Sequence, residues 1–373
     1  MPDISDRPPP AIRTDRLLPI DWARGLAMIL MAVDHASAML NHGRVVPGSR
    51  NLNGGATSFP VDQFFLRWST HICPVAFVSL AGVSMFLSIR RKTERGESAA
   101  AIDRFLVSRG LFIVLIDFVW LNASDLWKSF GLDVLTAIGA GIASMALLRR
   151  LPRAVLAIVG LGLVLTPELG GLDVPKGLAA ALYNGGRASP HVFLDYPVLP
   201  WIGVMALGWC WAGYALGEAA TTERIGRAAA RTLVPLVVVA FVLRGLNGFG
   251  NALAPRLDGS LQQWLDLSKN PPSLAFLAFE LGVLGMLLVG FAAAAARGAM
   301  LRPLAIFGQT ALFFYALHFY VMGIAVELTG LGHAFGIPGA LASAALLVAA
   351  MYPLCRWYAG YKARHDNLVT RYV

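Results

Sequence analysis

The sequence predicts an all-α membrane protein, a polytopic bundle of about ten transmembrane helices with both termini cytoplasmic. Three observations predict it. Of 373 residues, 57% are hydrophobic and only 14% charged, against about 25% charged in soluble domains. Apolar runs recur along nearly the whole chain. Lys and Arg gather in short clusters at alternate connections between those runs, as the positive-inside rule requires of a multi-pass protein.

The elements follow in order. Residues 1–17 are polar and proline-containing and read as a short disordered cytoplasmic tail. The first apolar run carries charges and lacks a small-residue cleavage site after it, so it reads as a retained helix. Spans are expected at 18–40, 69–89, 105–122, 129–148, 152–167, 196–217, 230–249, 272–296, 303–328 and 337–358. They form one domain over 18–360, followed by a cytoplasmic tail over 361–373. Arg90, Arg91, Lys92, Arg95 and Arg104 follow the second span, and Arg149, Arg150 and Arg153 follow the fourth. Arg224, Arg227 and Arg231 follow the sixth, Arg297 and Arg302 the eighth, and Arg356, Lys362, Arg364 and Arg371 mark the last. The opposite connections hold Lys128 alone, then Lys176 and Arg187, then Arg256 and Lys269, then none. Three long connections, 41–68, 168–195 and 250–271, are therefore expected to face outward. They are rich in Gly, Asn and aromatics, as at Asn51, Asn53, Gly54, Gly55 and Tyr183-Asn184-Gly185-Gly186, and loops of that kind carry function more often than packed elements do.

The net charge of +9 is spread in clusters between apolar runs, which excludes nucleic acid as a partner. Cys73, Cys210 and Cys355 stand singly in apolar stretches, giving neither a disulfide framework nor zinc spacing, and no metal is expected. There is no Walker A loop, HExxH or GxSxG, and Gly160-Leu161-Gly162 lacks a third glycine in register.

Ionisable residues inside a membrane are costly and are candidates for function. The first span carries Ile20-Asp21-Trp22-Ala23-Arg24-Gly25 and, after an apolar stretch, Asp34-His35. Arg24 and His35 differ by only about 20° around a helix and by about 16 Å along it. Asp21 lies three residues before Arg24, close enough to pair, and Asp34 points about 100° away from His35. One face thus carries an ion pair near one end and an imidazole near the other. An interfacial anchor with a capping histidine is the competing reading. His71 opens the second span and His318 lies about 22 Å into the ninth, so three imidazoles fall at similar depth, and histidine is the usual general acid or base. Asp117, Asp133, Glu280, Glu327 and Arg244 are further polar residues in or near spans, read as interhelical pairing or as a proton or ion pathway.

The stretch Leu17 to His35 resembles the first helix of the bacterial relatives of heparan-α-glucosaminide N-acetyltransferase. Phe64-Phe65-Leu66-Arg67-Trp68-Ser69-Thr70-His71 and the run to Gly82, Tyr196-Pro197-Val198-Leu199-Pro200-Trp201, Asn270-Pro271-Pro272-Ser273 and Leu312-Phe313-Phe314-Tyr315-Ala316-Leu317-His318 resemble later signatures of that family. Arg24 and His35 also fit the arginine, ten residues, histidine spacing of the wider membrane O-acyltransferases. The lysosomal enzyme looks to carry asparagine near the position of His35 and its essential histidine in the next outer loop, a place that His42 or His71 fills here.

The resemblance implies a transmembrane acyltransferase that takes an acetyl group from cytoplasmic acetyl-CoA to a hydroxyl or amine on an outer acceptor, a sugar or glycan. It implies His35 as general base, His71 as second base, acid or orienter, Asp34 beside them, and an acyl-histidine as a variant. Arg24, paired with Asp21, and Arg90 and Arg91 are candidates for the donor's phosphates, although the positive-inside rule explains the last two without a ligand. His318, Trp201 and Tyr315 are candidate acceptor-side donors. The expected location is the bacterial inner membrane, with the lipid bilayer and a small-molecule or glycan acceptor as partners and homo-oligomerisation left open. The alternative is a transporter or flippase without acyl chemistry, against which stands the lack of a clear internal repeat.

Overall fold

The computed structural model describes residues 17–45, 59–120, 122, 130–169, 177, 182–217, 219–252, 254–365, 367, 370 and 372. The expected tail before Leu17 lies outside these residues, as do Asn51, Asn53, Gly54 and Gly55.

The chain is mostly helical: α1 Leu18–Leu40, α2 Val61–Trp68, α3 Ile72–Glu94, α4 Ala99–Leu115, α5 Val134–Leu148, α6 Arg153–Val164, α7 Thr166–Leu169, α8 Val198–Ala215, α9 Thr222–Thr232, α10 Leu236–Leu246, α11 Leu261–Leu265, α12 Leu274–Ala296, α13 Arg302–Gln309, α14 Ala311–Thr329 and α15 Ile337–Arg364. Among the described residues seven helices are long and apolar enough to cross a membrane, with Val61–Glu94 and Thr222–Leu246 each counted as one. The other three expected spans are helical but shorter or less regular. Helix α5, at about 22 Å, and α6, at about 18 Å, fall short of the 30 Å hydrocarbon core. Helix α4 runs into a π-helical turn over Ile116–Trp120.

The structure departs from expectation at three other places. The connection 41–68 contains α2. The seventh span is broken after Thr232, where Pro235 removes a backbone donor. The ninth is broken at Thr310, between α13 and α14.

Helix α1 is central, packed against α3, α12, α13, α14 and α15. Glycines allow its closest approach. A Cβ on Gly25 would lie 2.0 Å from the Leu304 carbonyl oxygen, and one on Gly308 2.0 Å from that of Asp21, so the backbones of α1 and α13 touch. This contact holds the Arg24 end of α1 against the break at Thr310.

Ser98, Thr221, Ser260 and Ser273 cap α4, α9, α11 and α12. Ser273 accepts from Phe276 N at 3.1 Å at the head of α12. Helix α5 is capped from another element: Asp117 accepts from the backbone of Asp133 and Thr136 and from the Thr136 hydroxyl at 2.9, 2.7 and 2.6 Å. A three-stranded sheet, ordered β1-β3-β2 (Phe130–Leu132, Val192–Leu194 and Gly186–Ser189), pairs β1 parallel to β3. It brings Asp195 beside Leu132, whose carbonyl accepts from Asp195 N at 3.0 Å.

Candidate functional site

Two cavities lie along α1. The larger, about 370 Å³, is lined at one end by Arg24, Arg91, Arg109 and Lys362, with Ser84, Ser88 and Gln309, and further in by apolar side chains such as Met28, Leu135 and Leu312. The smaller, about 50 Å³, is lined by Asp34, His35, Thr70, Cys73, Asp133, Tyr196 and Lys269. Phe77, Val134 and Tyr315 line both. The shared face of Arg24 and His35 therefore runs past both cavities, one residue at each.

At the first end Arg24 reaches Asp21 at 3.4 Å, the Gly308 carbonyl at 3.1 Å and the Ser84 hydroxyl at 2.6 Å. Arg91 lines the cavity. Arg90 does not: it donates to the Leu216 carbonyl at 3.0 Å and lies 3.6 Å from Glu94. Asp21, buried beneath Arg24, also accepts from Gln309 at 3.4 Å. The sequence carries no signal for Arg109, and the positive-inside rule accounts for Lys362 near the end of the last span without a ligand.

At the other end His35 Nδ1 lies 2.7 Å from His318 Nε2, and the rings stack with centroids 5.0 Å apart. His318 is fully buried. Its Nδ1 lies 2.7 Å from the Tyr315 carbonyl and 3.1 Å from that of Phe314. A carbonyl only accepts, so Nδ1 of His318 carries the hydrogen. In neutral His318, Nε2 is then an acceptor, His35 donates from Nδ1, and Nε2 of His35 keeps its lone pair. The tautomer follows from the partners.

Of the three imidazoles expected at one depth, two meet. His71, at the head of α3, is buried against Phe276 with ring centroids 6.1 Å apart, does not line the cavity, and has no hydrogen-bond partner among the described residues on either nitrogen. His42 is exposed in the turn after α1. Trp201 is also outside the lining. It packs on Tyr196 with centroids 5.6 Å apart, and its Nε1 has no hydrogen-bond partner among the described residues. Tyr315, by contrast, stands where the cavities meet. Sequence spacing fixes depth and helix face but not which neighbour a residue meets, hence the difference between His71 and His318.

Asp34 accepts from Arg67, in a short charge-assisted bond, and from Thr70 at 3.1 Å, with Arg44 at 3.5 Å. Arg44 also donates to the Asp34 carbonyl at 2.6 Å. The carboxylate is thus held by two guanidinium groups on its own side of His35.

In the sequence Lys269 is only one of two cations in a long connection. It is 5% exposed and lines the smaller cavity. Among the described residues its ammonium has one contact, the Tyr196 ring at 5.8 Å, and no ion pair or hydrogen bond. Burial above all, and then the Arg67 charge, pull this ammonium down to about 8. A buried guanidinium and a half-buried carboxylate knit the loop that carries it. Arg244 donates to Asn251 at 2.7 Å and to the carbonyls of Ala254, Gln263 and Asp266 at 2.8, 2.6 and 2.9 Å. Glu168 accepts from the backbone of Gly250, Ala252 and Leu274 at 3.0, 2.8 and 2.9 Å. Arg244 and Asp117, expected in interhelical pairing or in a proton or ion pathway, thus bond mostly backbone.

No group of three or more His, Cys, Asp or Glu side chains among the described residues is placed to hold a metal ion. Residues 16–242, more than half of the chain, match the family model described as heparan-alpha-glucosaminide N-acetyltransferase, catalytic. The match includes Arg24, Asp34, His35, His71 and Trp201 and ends within α10, before Lys269, Tyr315 and His318. No curated protein matches the chain.

Proposed function

Because the chain belongs to the heparan-alpha-glucosaminide N-acetyltransferase family and is a multi-pass membrane protein of acetyltransferase type, we propose that it carries an acetyl group across the bilayer, from acetyl-CoA to a hydroxyl or amine of a sugar or glycan. The single observation that carries this reading is the pair of cavities that meet at Phe77, Val134 and Tyr315. One has the character a nucleotide thioester needs and the other holds a base.

Arg24, Arg91, Arg109 and Lys362 suit the donor's phosphates, because guanidinium groups bind phosphate oxygens in charge-assisted pairs. The apolar wall beyond them suits the pantetheine arm, and the thioester then lies toward Tyr315. The clusters of Lys and Arg support a cytoplasmic location for that end, in the bacterial inner membrane. Arg24 near the start of α1 and Lys362 near the end of α15 line one cavity, which supports both termini on that side.

At the far end His35 is the general base. Its Nε2 takes the proton of the acceptor hydroxyl or amine as that atom adds to the thioester carbonyl. His318 holds the ring and its tautomer and is a positioning residue. Asp34, locked by Arg67 and Arg44, offsets the positive charge His35 acquires. Tyr315 lies where a hydroxyl donor meets the transferring group. A transporter shares buried charges and many helices, but a base held in one tautomer at the smaller cavity favours transfer chemistry.

The test is release of CoA from acetyl-CoA by the purified protein in lipid vesicles, with amino sugars and oligosaccharides as acceptors. Release that His35→Ala lowers at least a hundredfold is the expected result, since general-base catalysis contributes roughly 10²–10⁴. Binding of acetyl-CoA without cleavage would favour transport, and full activity in His35→Ala would remove the base from its role.

A further inference from the structure

The smaller cavity contains a charge that the proposed base does not need. Lys269 is buried and lines the chamber that His35 lines, yet none of the described carboxylates is in ion-pair range of it. Of the two carboxylates that line the chamber, Asp34 is already held by Arg67 and Arg44, and Asp133 shares a hydrogen bond with Asp195. A buried cation without a partner is costly, because it gives up its hydration and gains no opposite charge. Such a group persists where a negative charge meets it for part of the cycle.

Size decides which negative charge. The chamber is about 50 Å³, well below the roughly 300 Å³ at which small-molecule pockets begin. It admits reacting atoms and not a sugar ring with an anionic substituent. Resting on the acyltransferase reading, we propose that Lys269 is a further catalytic residue, whose ammonium receives the charge that develops on the acetyl carbonyl oxygen during transfer. The acceptor's oxygen or nitrogen bonds to the carbonyl carbon while its proton passes to His35 Nε2. The carbonyl π pair moves onto oxygen, beside Lys269. When that pair returns, the C–S bond breaks, CoA leaves as the thiolate, and the proton held by His35 balances it. The ammonium is thus satisfied in the transition state and unsatisfied before and after, which is the difference that accelerates a reaction.

The experiment compares wild type with Lys269→Met and Lys269→Arg in the vesicle assay, reading kcat, KM and the thermal transition. Lys269→Met is expected to lose about 10²–10³ in kcat, the range for one oxyanion donor, with KM for acetyl-CoA unchanged. Its thermal transition is expected to hold or rise, because removing an unpaired buried charge relieves its cost. A structural role would instead lower it. The groups facing Lys269 are Arg67, Asp34, Cys73 and Arg44, with Asp133, Asp195, Glu280, His35, His71 and Tyr196. Wild-type kcat is expected to fall above pH 8 as the ammonium is lost, and that limb to be absent in whatever activity Lys269→Arg retains, since guanidinium stays charged. Wild-type kcat in Lys269→Met overturns the assignment alone. A raised acceptor KM with kcat retained overturns it in favour of binding an anionic acceptor. No CoA release by wild type refutes the parent reading and this one with it.

Discussion

Replacing His318 with leucine tests the tautomer argument most directly. Leucine fills similar space but offers nothing to His35 Nδ1, which now lies 2.7 Å from His318 Nε2. His35 then either leaves a buried N–H unpaired or moves its hydrogen to Nε2, where it blocks proton uptake. Leaving a buried polar group unpaired costs about 1–3 kcal/mol, and each 1.36 kcal/mol is tenfold in rate. The expected loss in kcat is therefore about 5- to 150-fold, with KM for acetyl-CoA unchanged because the larger cavity is untouched. His318→Gln keeps an acceptor on the side chain and is expected to recover part of the loss. The assay is CoA release at saturating acetyl-CoA, with monodispersity in detergent as the check on folding. Wild-type kcat in a well-folded His318→Leu protein would refute the reasoning, because the base would then need no partner on Nδ1.

Arg109→Gln should raise KM for acetyl-CoA about tenfold or more, the value of one charged hydrogen bond, while a donor thioester truncated before the phosphates should be indifferent to the change. Gly25→Val should lower the thermal transition markedly, since a Cβ there would sit 2.0 Å from the Leu304 carbonyl oxygen and overpacking costs about 1–3 kcal/mol even at more forgiving sites; Gly162→Ala, where nothing lies within 4 Å, is the neutral control. Glu168→Ala removes the acceptor of three backbone N–H groups, and should open the 250–274 loop to limited proteolysis and lower kcat by displacing Lys269.

The helices were legible because an apolar run is a chain-local signal. Helix α1 occupies Leu18–Leu40, the same bounds as the apolar run that announced it. The common face of Arg24 and His35 was legible for the same reason, since both angle and rise follow from one helix. The partners were not. His318 meets His35 across 283 positions of chain, and equal depth gave His71 the same standing until lateral packing separated them. Lys269 was least legible. It sits in a polar connection, where a lysine suggests solvent, and its burial depends on Arg244 and Glu168 tying that connection down from distant helices. Trp201 looked like a donor by its motif, but the fold turns it onto Tyr196.

The three side chains common to both cavities have an electrical consequence. A membrane potential falls mostly across the lowest-dielectric part of its path, here the septum of Phe77, Val134 and Tyr315 instead of the full hydrocarbon thickness. Moving one elementary charge through that drop is worth about 2.3 kcal/mol per 100 mV. A neutral acetyl group crosses it without electrical work. The proton that returns from His35 to the thiolate does not, so the voltage acts on the protonation of CoA and leaves the acyl step alone, and an energised vesicle should reset the enzyme at a different rate from a discharged one.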